Sequence, residues 1–233
     1  MQTSQFLESR HPLVVALGQQ SDSDLLTLFQ RYPDKGQYFV AIFCRYTPIV
    51  QSLIRHSVRS PVQADYLFAL TWRHIFNEMG GLDLRDRVPP GQPPQSLQSW
   101  LINTTAACIN STPLPPVESI HYSLQENSPP LWCYLEQALN RLEPVHRLMI
   151  LMAQTFHWSE SRISAYLQAE GEMMSPAEVK AELDAAYPAL EAALPDDIGA
   201  IYLDRLPRRP SLVAEELGLE ENWFDLPSLS LES

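Results

Sequence analysis

From Leu135 to Leu194 the chain reads LEQALNRLEPVHRLMILMAQTFHWSESRISAYLQAEGEMMSPAEVKAELDAAYPALEAAL. Apolar residues recur at spacings of three and four in its first third, which predicts an amphipathic helix ending near Gln154. FHWSES is a short break, RISAYLQ a small second helix, and SPAEVKAELDAAYPALEAAL a third helix with Pro188 inside it. The order of pieces is that of a helix-turn-helix, an arrangement typical of DNA readers. The chemistry points elsewhere. The last piece carries one base, Lys180, against Glu178, Glu182, Asp184 and Glu191. Pro188 is expected to break or kink the second half of that helix.

Working outward, residues 22–58 read as helical. SDSDLLTLF opens on helix-starting Ser and Asp. Phe39, Ile42, Phe43, Tyr46, Ile49, Val50, Leu53 and Ile54 then mark one buried helical stripe, with Pro48 expected to kink or reset it. ADYLFALTWRHIFNEM, residues 64–79, is apolar on more than one face, and Gly80-Gly81 ends it. A Pro-rich loop precedes a further helix, SLQSWLINTTAACINS, with Leu97, Trp100, Leu101 and Thr104 inward. Residues 111–130 are rich in Pro and Ser and read as a linker. No period-two strand or fixed repeat occurs. The expectation is an all-α chain with an N-terminal extension (1–21), a helical domain (22–110), the linker (111–130), a helix-turn-helix domain (131–194) and an acidic C-terminal tail (195–233). Within the tail, SLVAEELGLEENWF could form a short amphipathic helix. Its Glu215, Glu216, Glu220 and Glu221 beside Trp223 and Phe224 suit either a docking peptide or a solvated face.

Charge is unevenly placed. The chain has 233 residues and a net charge of −12. Residues 1–87 are near neutral, 88–140 contain no Lys or Arg, and 141–233 hold seven bases against seventeen acids. Affinity for nucleic acid comes largely from neutralising phosphates, so this chain is a poor match for DNA alone and a better one for a basic protein surface. No apolar run approaches a bilayer span, and residues 1–20 lack the pattern of a signal peptide. Three well-separated cysteines, Cys44, Cys108 and Cys133, lead to an expectation of free thiols in the cytoplasm. There is no glycine-rich phosphate loop, no His/Cys pairing at metal-ligand spacing and no Gly-x-Ser-x-Gly turn, so neither an enzyme nor a cofactor is expected.

Five segments, in this order, resemble the RNA polymerase sigma factors of the sigma-70 superfamily, most closely the small extracytoplasmic-function type. DSDLLTLFQRYPDKGQYFVAIFCRYTPIVQSLI is similar to the opening helices of sigma region 2. QADYLFALTWRHIFNEM stands where the family has its polymerase-docking helix, and SLQSWLINTTAACI resembles its promoter-opening helix. LEQALNRLEPVHRLMILMAQTFHWSESRISAYL resembles region 4, with Leu142, Pro144 and Arg147 in the pattern before the helix-turn-helix. SPAEVKAELDAAYPALEAAL stands in place of the recognition helix. The resemblance covers about residues 20–194. It departs from the family where Arg and Lys are usual: Asn103 to Cys108 follow Trp100 without a base, and Glu182, Ala185 and Glu191 replace arginines. QAEGEMM lengthens the turn between the two region 4 helices, and of the usual acidic set in the docking helix only Asp65 is kept.

The resemblance implies a region 2-like bundle and a region 4-like helix-turn-helix domain joined by the Pro-rich linker. It also implies a sigma factor that joins core RNA polymerase and directs promoter-specific initiation, subject to a possible anti-sigma protein. Asp65, Tyr66, Phe68, Trp72 and Phe76 would supply the polymerase contact, although the same apolar residues would serve equally as the domain's own core. Trp100, Asn103, Thr104 and Asn110 would meet unstacked promoter bases, with Trp100 open to a core role instead. Ser159, Ser161, Arg162, Ser175 and Lys180 would donate to upstream DNA, and Glu178 would accept from cytosine. With the DNA helices acidified, the alternative is a sigma-like protein that binds polymerase, or a regulator of another sigma, without reading promoters. A helical interaction module unconnected with transcription is the third reading.

Overall fold

A computed structural model describes residues 6–84, 96–120, 122, 124 and 128–203. Among them every regular element is helical, and the fold is all-α. The helices are α1 (Pro12–Val15), α2 (Asp22–Arg31), α3 (Gln37–Ser57), α4 (Pro61–Met79), α5 (Leu97–Ser111), α6 (Pro129–Arg141), α7 (Pro144–Gln154), α8 (Glu160–Ala169), α9 (Pro176–Ala193) and the short α10 (Asp196–Ile198). The chain divides into two compact units. Among the described residues, the first takes those up to Cys133 and returns with 195–203; the second is Tyr134–Leu194 and includes α7 to α9. The boundary falls inside α6.

In the first unit, local sequence sets the helix starts. Ser21 caps α2 by accepting from the Asp24 amide at 3.1 Å, and Ser60 and Ser96 cap α4 and α5 in the same way. Helix α3 runs unbroken through Pro48, although proline cannot donate to the Cys44 carbonyl one turn earlier. Phe39, Phe43, Tyr46, Val50 and Ile54 hold both halves of α3 in the core, and that burial outweighs one lost hydrogen bond. Of the expected stripe, Ile49 and Leu53 are only half-buried. Asp22 ties the start of α2 to α3 by accepting from the Arg45 guanidinium at 2.6 Å and from the Tyr46 hydroxyl.

The core is aromatic. Phe39 lies 4.8 Å from Phe76 and Phe43 lies 4.9 Å from Trp72, both edge-on, so Phe39, Phe43, Trp72 and Phe76 interlock α3 with α4. The residues expected to be an N-terminal extension belong to this core. Phe6 packs edge-on to Phe43 at 5.0 Å and stacks on Phe68 at 6.1 Å. Glu8 is buried and accepts from the Ser128 hydroxyl at 2.5 Å and the Tyr202 hydroxyl at 3.2 Å. Cys44 is a free thiol whose pKa is pushed up to about 12, first by burial and then by the Glu8 charge.

The segment read as linker also packs. Gln63 donates to the Pro115 carbonyl at 2.8 Å, and Tyr122 and Leu124 are buried. The tail expected from 195 starts instead as a structural strap. Ile198 and Ile201 are fully buried in the first unit. Asp197 accepts from the amides of Gly36 and Gln37 at 3.1 and 2.8 Å, so it caps α3, whose own N-cap glycine has no side chain to do so. The amphipathic segment read at 211–224 and the loop at 85–95 lie outside the described residues.

In the second unit, Pro144 restarts the helix as α7 after a break at Leu142-Glu143. Met149, Ile150, Met152, Ile163, Leu167, Val179, Leu183, Ala186 and Leu190 form the core between α7, α8 and α9. Helix α8 ends on Gly171 at φ +95°, and the Glu172 amide donates to the Leu167 carbonyl at 2.9 Å, a glycine-dependent helix stop. Of the break or kink expected at Pro188, a break does not occur: α9 continues through it to Ala193. It sits on the exposed side, while Ala186 and Leu190 anchor the second half of the helix inward.

Candidate partner-binding surfaces

Helix α4 has the composition expected of a docking helix, but its apolar residues point inward. Trp72 is 0% and Phe76 6% exposed, and Phe68 is equally enclosed. Phe39, Phe43 and Phe6 meet Phe68, Trp72 and Phe76 of α4, and α5 also packs on α4, where Thr71 faces Cys108. Phe68, Trp72 and Phe76 are therefore core residues and offer no surface anchor. The second greasy face, which suggested an external partner, is satisfied by the chain itself.

Asp65 and Tyr66 remain half-exposed on α4. Asp65 lies 3.8 Å from Arg55. Burial holds its carboxyl above the usual range, and Arg55 opposes that shift. Burial likewise raises the Tyr66 hydroxyl, opposed by Arg73. Arg73 itself lies over the Trp132 ring at 5.5 Å. The exposed residues of α4 are Pro61, Val62, His74, Asn77 and Glu78, with Tyr66, Leu70 and Arg73 half-buried beside them, so its outer side offers only scattered apolar groups.

On α5, Leu97 and Leu101 are buried, Trp100 and Thr104 are half-buried, and Asn103 and Asn110 are exposed. The helix contains no charged residue, so its exposed amides have no phosphate-binding neighbour on the same element.

In the second unit the structure exposes Ser159, Ser161, Arg162, Ser175, Glu178 and Lys180. Two of these are already engaged with each other. The Glu178 carboxylate accepts from the Ser175 amide at 2.8 Å and hydroxyl at 2.7 Å, and Ser175 Oγ accepts from the Glu178 amide at 3.3 Å. This is a reciprocal capping box at the start of α9. The spacing Ser175-Pro-Ala-Glu178 carries that signal, and it explains these two residues without DNA. Arg162 is also engaged, its guanidinium 4.2 Å over the Trp158 ring.

The remaining outer side of α9 presents Lys180 against Asp184 and Glu191, with Ala181, Ala185 and Ala189 between them. Glu182 is half-buried and meets His146 at 2.8 Å. A phosphate brought to this surface would meet more acids than bases, and like charges at close range repel.

The capping box makes a testable prediction. The bonds it accepts from the Ser175 amide and then from the Ser175 hydroxyl hold the Glu178 carboxyl below its ordinary value of 4.5. A depressed carboxyl contributes stability above its unfolded-state pKa and loses it as pH falls through the folded-state value. Helicity of the second unit should therefore decline below the usual glutamate range, and Glu178→Gln should flatten that decline in circular dichroism. Ser175→Ala should lower stability by about 1 kcal/mol at neutral pH through loss of the N-cap.

No helix among the described residues is long and apolar enough to cross a membrane, and no group of three or more His, Cys, Asp or Glu among them could hold a metal. Comparison with family models, with curated proteins and with solved structures finds no match to the chain.

Proposed function

We propose that this chain is a divergent sigma-like protein that acts in transcription by binding protein, either RNA polymerase or a regulator of another sigma factor, without itself reading promoter DNA. The observation that carries this reading is the outer surface of α9, where Lys180 stands alone against Asp184 and Glu191 and the N-terminal Glu178 is held by its own cap. Recognition helices use exposed bases for phosphates and free polar side chains for base edges. Here the first are nearly absent and two of the second are committed to the cap. The net charge of −12 favours a basic protein surface over a polyanion.

A promoter-directing sigma factor is the second reading. It is favoured by exposed Arg162, Ser159 and Ser161 at the start of α8 and by exposed Asn103 and Asn110 on α5. Under that reading the polymerase supplies the positive charge that this chain lacks.

Mixing the purified protein with core polymerase and a promoter library in a run-off assay separates the two. Co-migration with polymerase and no specific transcript is the expected result. Specific transcripts would replace it with the second reading. Absence of co-migration with polymerase or with any sigma regulator would remove both.

A further inference from the structure

The turn between α7 and α8 places a row of aromatic rings at the surface of the second unit. Phe156 is 59% and Tyr166 38% exposed, large values for such side chains. Trp158 lies between them, 5.8 Å from each ring. His157 adopts φ +51°, a left-handed conformation uncommon for a residue with a Cβ, and it separates Phe156 from Trp158 in the chain. Folding alone gains nothing from leaving Phe156 in water, and exposed apolar clusters with polar borders mark interaction sites.

The charges around these rings restrict the partner. Arg162 is held over the Trp158 face, which leaves the Phe156 and Tyr166 rings as the open ones. Glu160 follows Trp158 by two residues and is exposed. On α9, the Tyr187 hydroxyl accepts at 2.5 Å from Gln154, two residues before Phe156, and the exposed Asp184 lies one helical turn before Tyr187, whose hydroxyl feels the charge of both acids. Glu170 lies one helical turn beyond Tyr166 and is exposed. Tyr134–Leu194 as a whole holds four Lys or Arg against nine Asp or Glu. Exposed aromatics can stack on nucleic-acid bases, but that mode needs a basic groove to hold the backbone, and here the surroundings are acidic.

We propose that the Phe156–Trp158–Tyr166 surface, bordered by Glu160 and Asp184, docks a basic amphipathic peptide segment of a partner protein. Its apolar side chains would cover Phe156 and Tyr166, and its lysines or arginines would meet the acidic border. This deepens the reading that the chain works by protein contact and rests on it.

The test uses the full chain and a fluorescein-labelled peptide of leucine and lysine, about eighteen residues long, with leucines at helical spacing. Fluorescence anisotropy at physiological salt should show binding. The double variant Phe156→Ser/Tyr166→Ser should weaken that binding by about tenfold or more, as expected for loss of aromatic anchors. Glu160→Lys/Asp184→Lys should weaken it too, and oligolysine of equal charge should bind at least about tenfold more weakly than the amphipathic peptide. Because the substituted rings are exposed, the double variant should keep the wild-type circular dichroism spectrum.

Unchanged affinity in the folded double variant would overturn the proposal. Equal binding of oligolysine would do the same, by showing charge alone at work. Tight binding of a single-stranded oligonucleotide that the double variant abolishes would assign the surface to nucleic acid instead. If the peptide fails to bind while the chain still co-migrates with polymerase, this inference falls and the functional reading stands; loss of both removes both.

Discussion

Trp72→Ala should remove about 3–5 kcal/mol of stability, the usual cost of deleting a fully buried aromatic side chain. Trp72 is completely enclosed, with the rings of Phe43, Phe39 and Phe68 at 4.9, 6.0 and 6.3 Å. Whole domains are typically stable by only about 5–15 kcal/mol, so the variant should be close to unfolded at 37 °C. Trp72→Phe should cost far less, because it keeps a ring in the cluster and removes an indole N–H that has no acceptor among the described residues. Urea unfolding followed by circular dichroism checks both. The pair also bears on function. A surface anchor for polymerase would tolerate alanine in the fold and lose only the partner; a core residue loses the fold. An alanine variant of native stability with impaired polymerase binding would return Trp72 to the docking role that its burial denies.

Ile198→Asp should detach the strap that closes the first unit. Ile198 is fully buried, so the change forfeits the burial of a large aliphatic side chain, about 2–5 kcal/mol, before any charge effect. Forcing a carboxylate into the same apolar space costs several kcal/mol more, and the segment avoids that cost by leaving. Detachment also withdraws Asp197 from the Gly36 and Gln37 amides and uncaps α3. Limited proteolysis should then cut within residues 195–203 in the variant and spare them in the parent, with a lowered melting temperature. Asp197→Ala should give an intermediate result, about 1–3 kcal/mol, because it strands two amides but leaves Ile198 and Ile201 in place. A variant Ile198→Asp with parental protease resistance would show that the strap contributes little.

Features that depend on neighbours along the chain are legible in the sequence. Helical periodicity gives α3, serines give helix starts, and Gly80-Gly81 gives the end of α4, because each depends on contacts within one or two turns; the same periodicity reads residues 135–154 as one helix, whereas the chain breaks at Leu142-Glu143 and restarts at Pro144 as α7. Which apolar face meets solvent is a different kind of question. Residues 64–79 are greasy on several sides whether the second side meets a partner protein, α5 or Phe6. Only the packing of residues distant in the chain settles that, and here it turns Phe68, Trp72 and Phe76 inward.

The same distinction governs the candidate surfaces. Acidification of α9 is written in its residue types, and its capping box in the spacing of Ser175 and Glu178. The strap is not: Asp197 lies 160 residues beyond the amide of Gln37 that it caps, and no local pattern links them. Nor does sequence separate Phe156, left in water, from Phe76, left without it. By itself the sequence determined helices, their ends and the sign of their charge, all set by short-range geometry and ionisation. Tertiary structure alone decided which rings are sealed and which are offered, because burial depends on every segment that folds back over them.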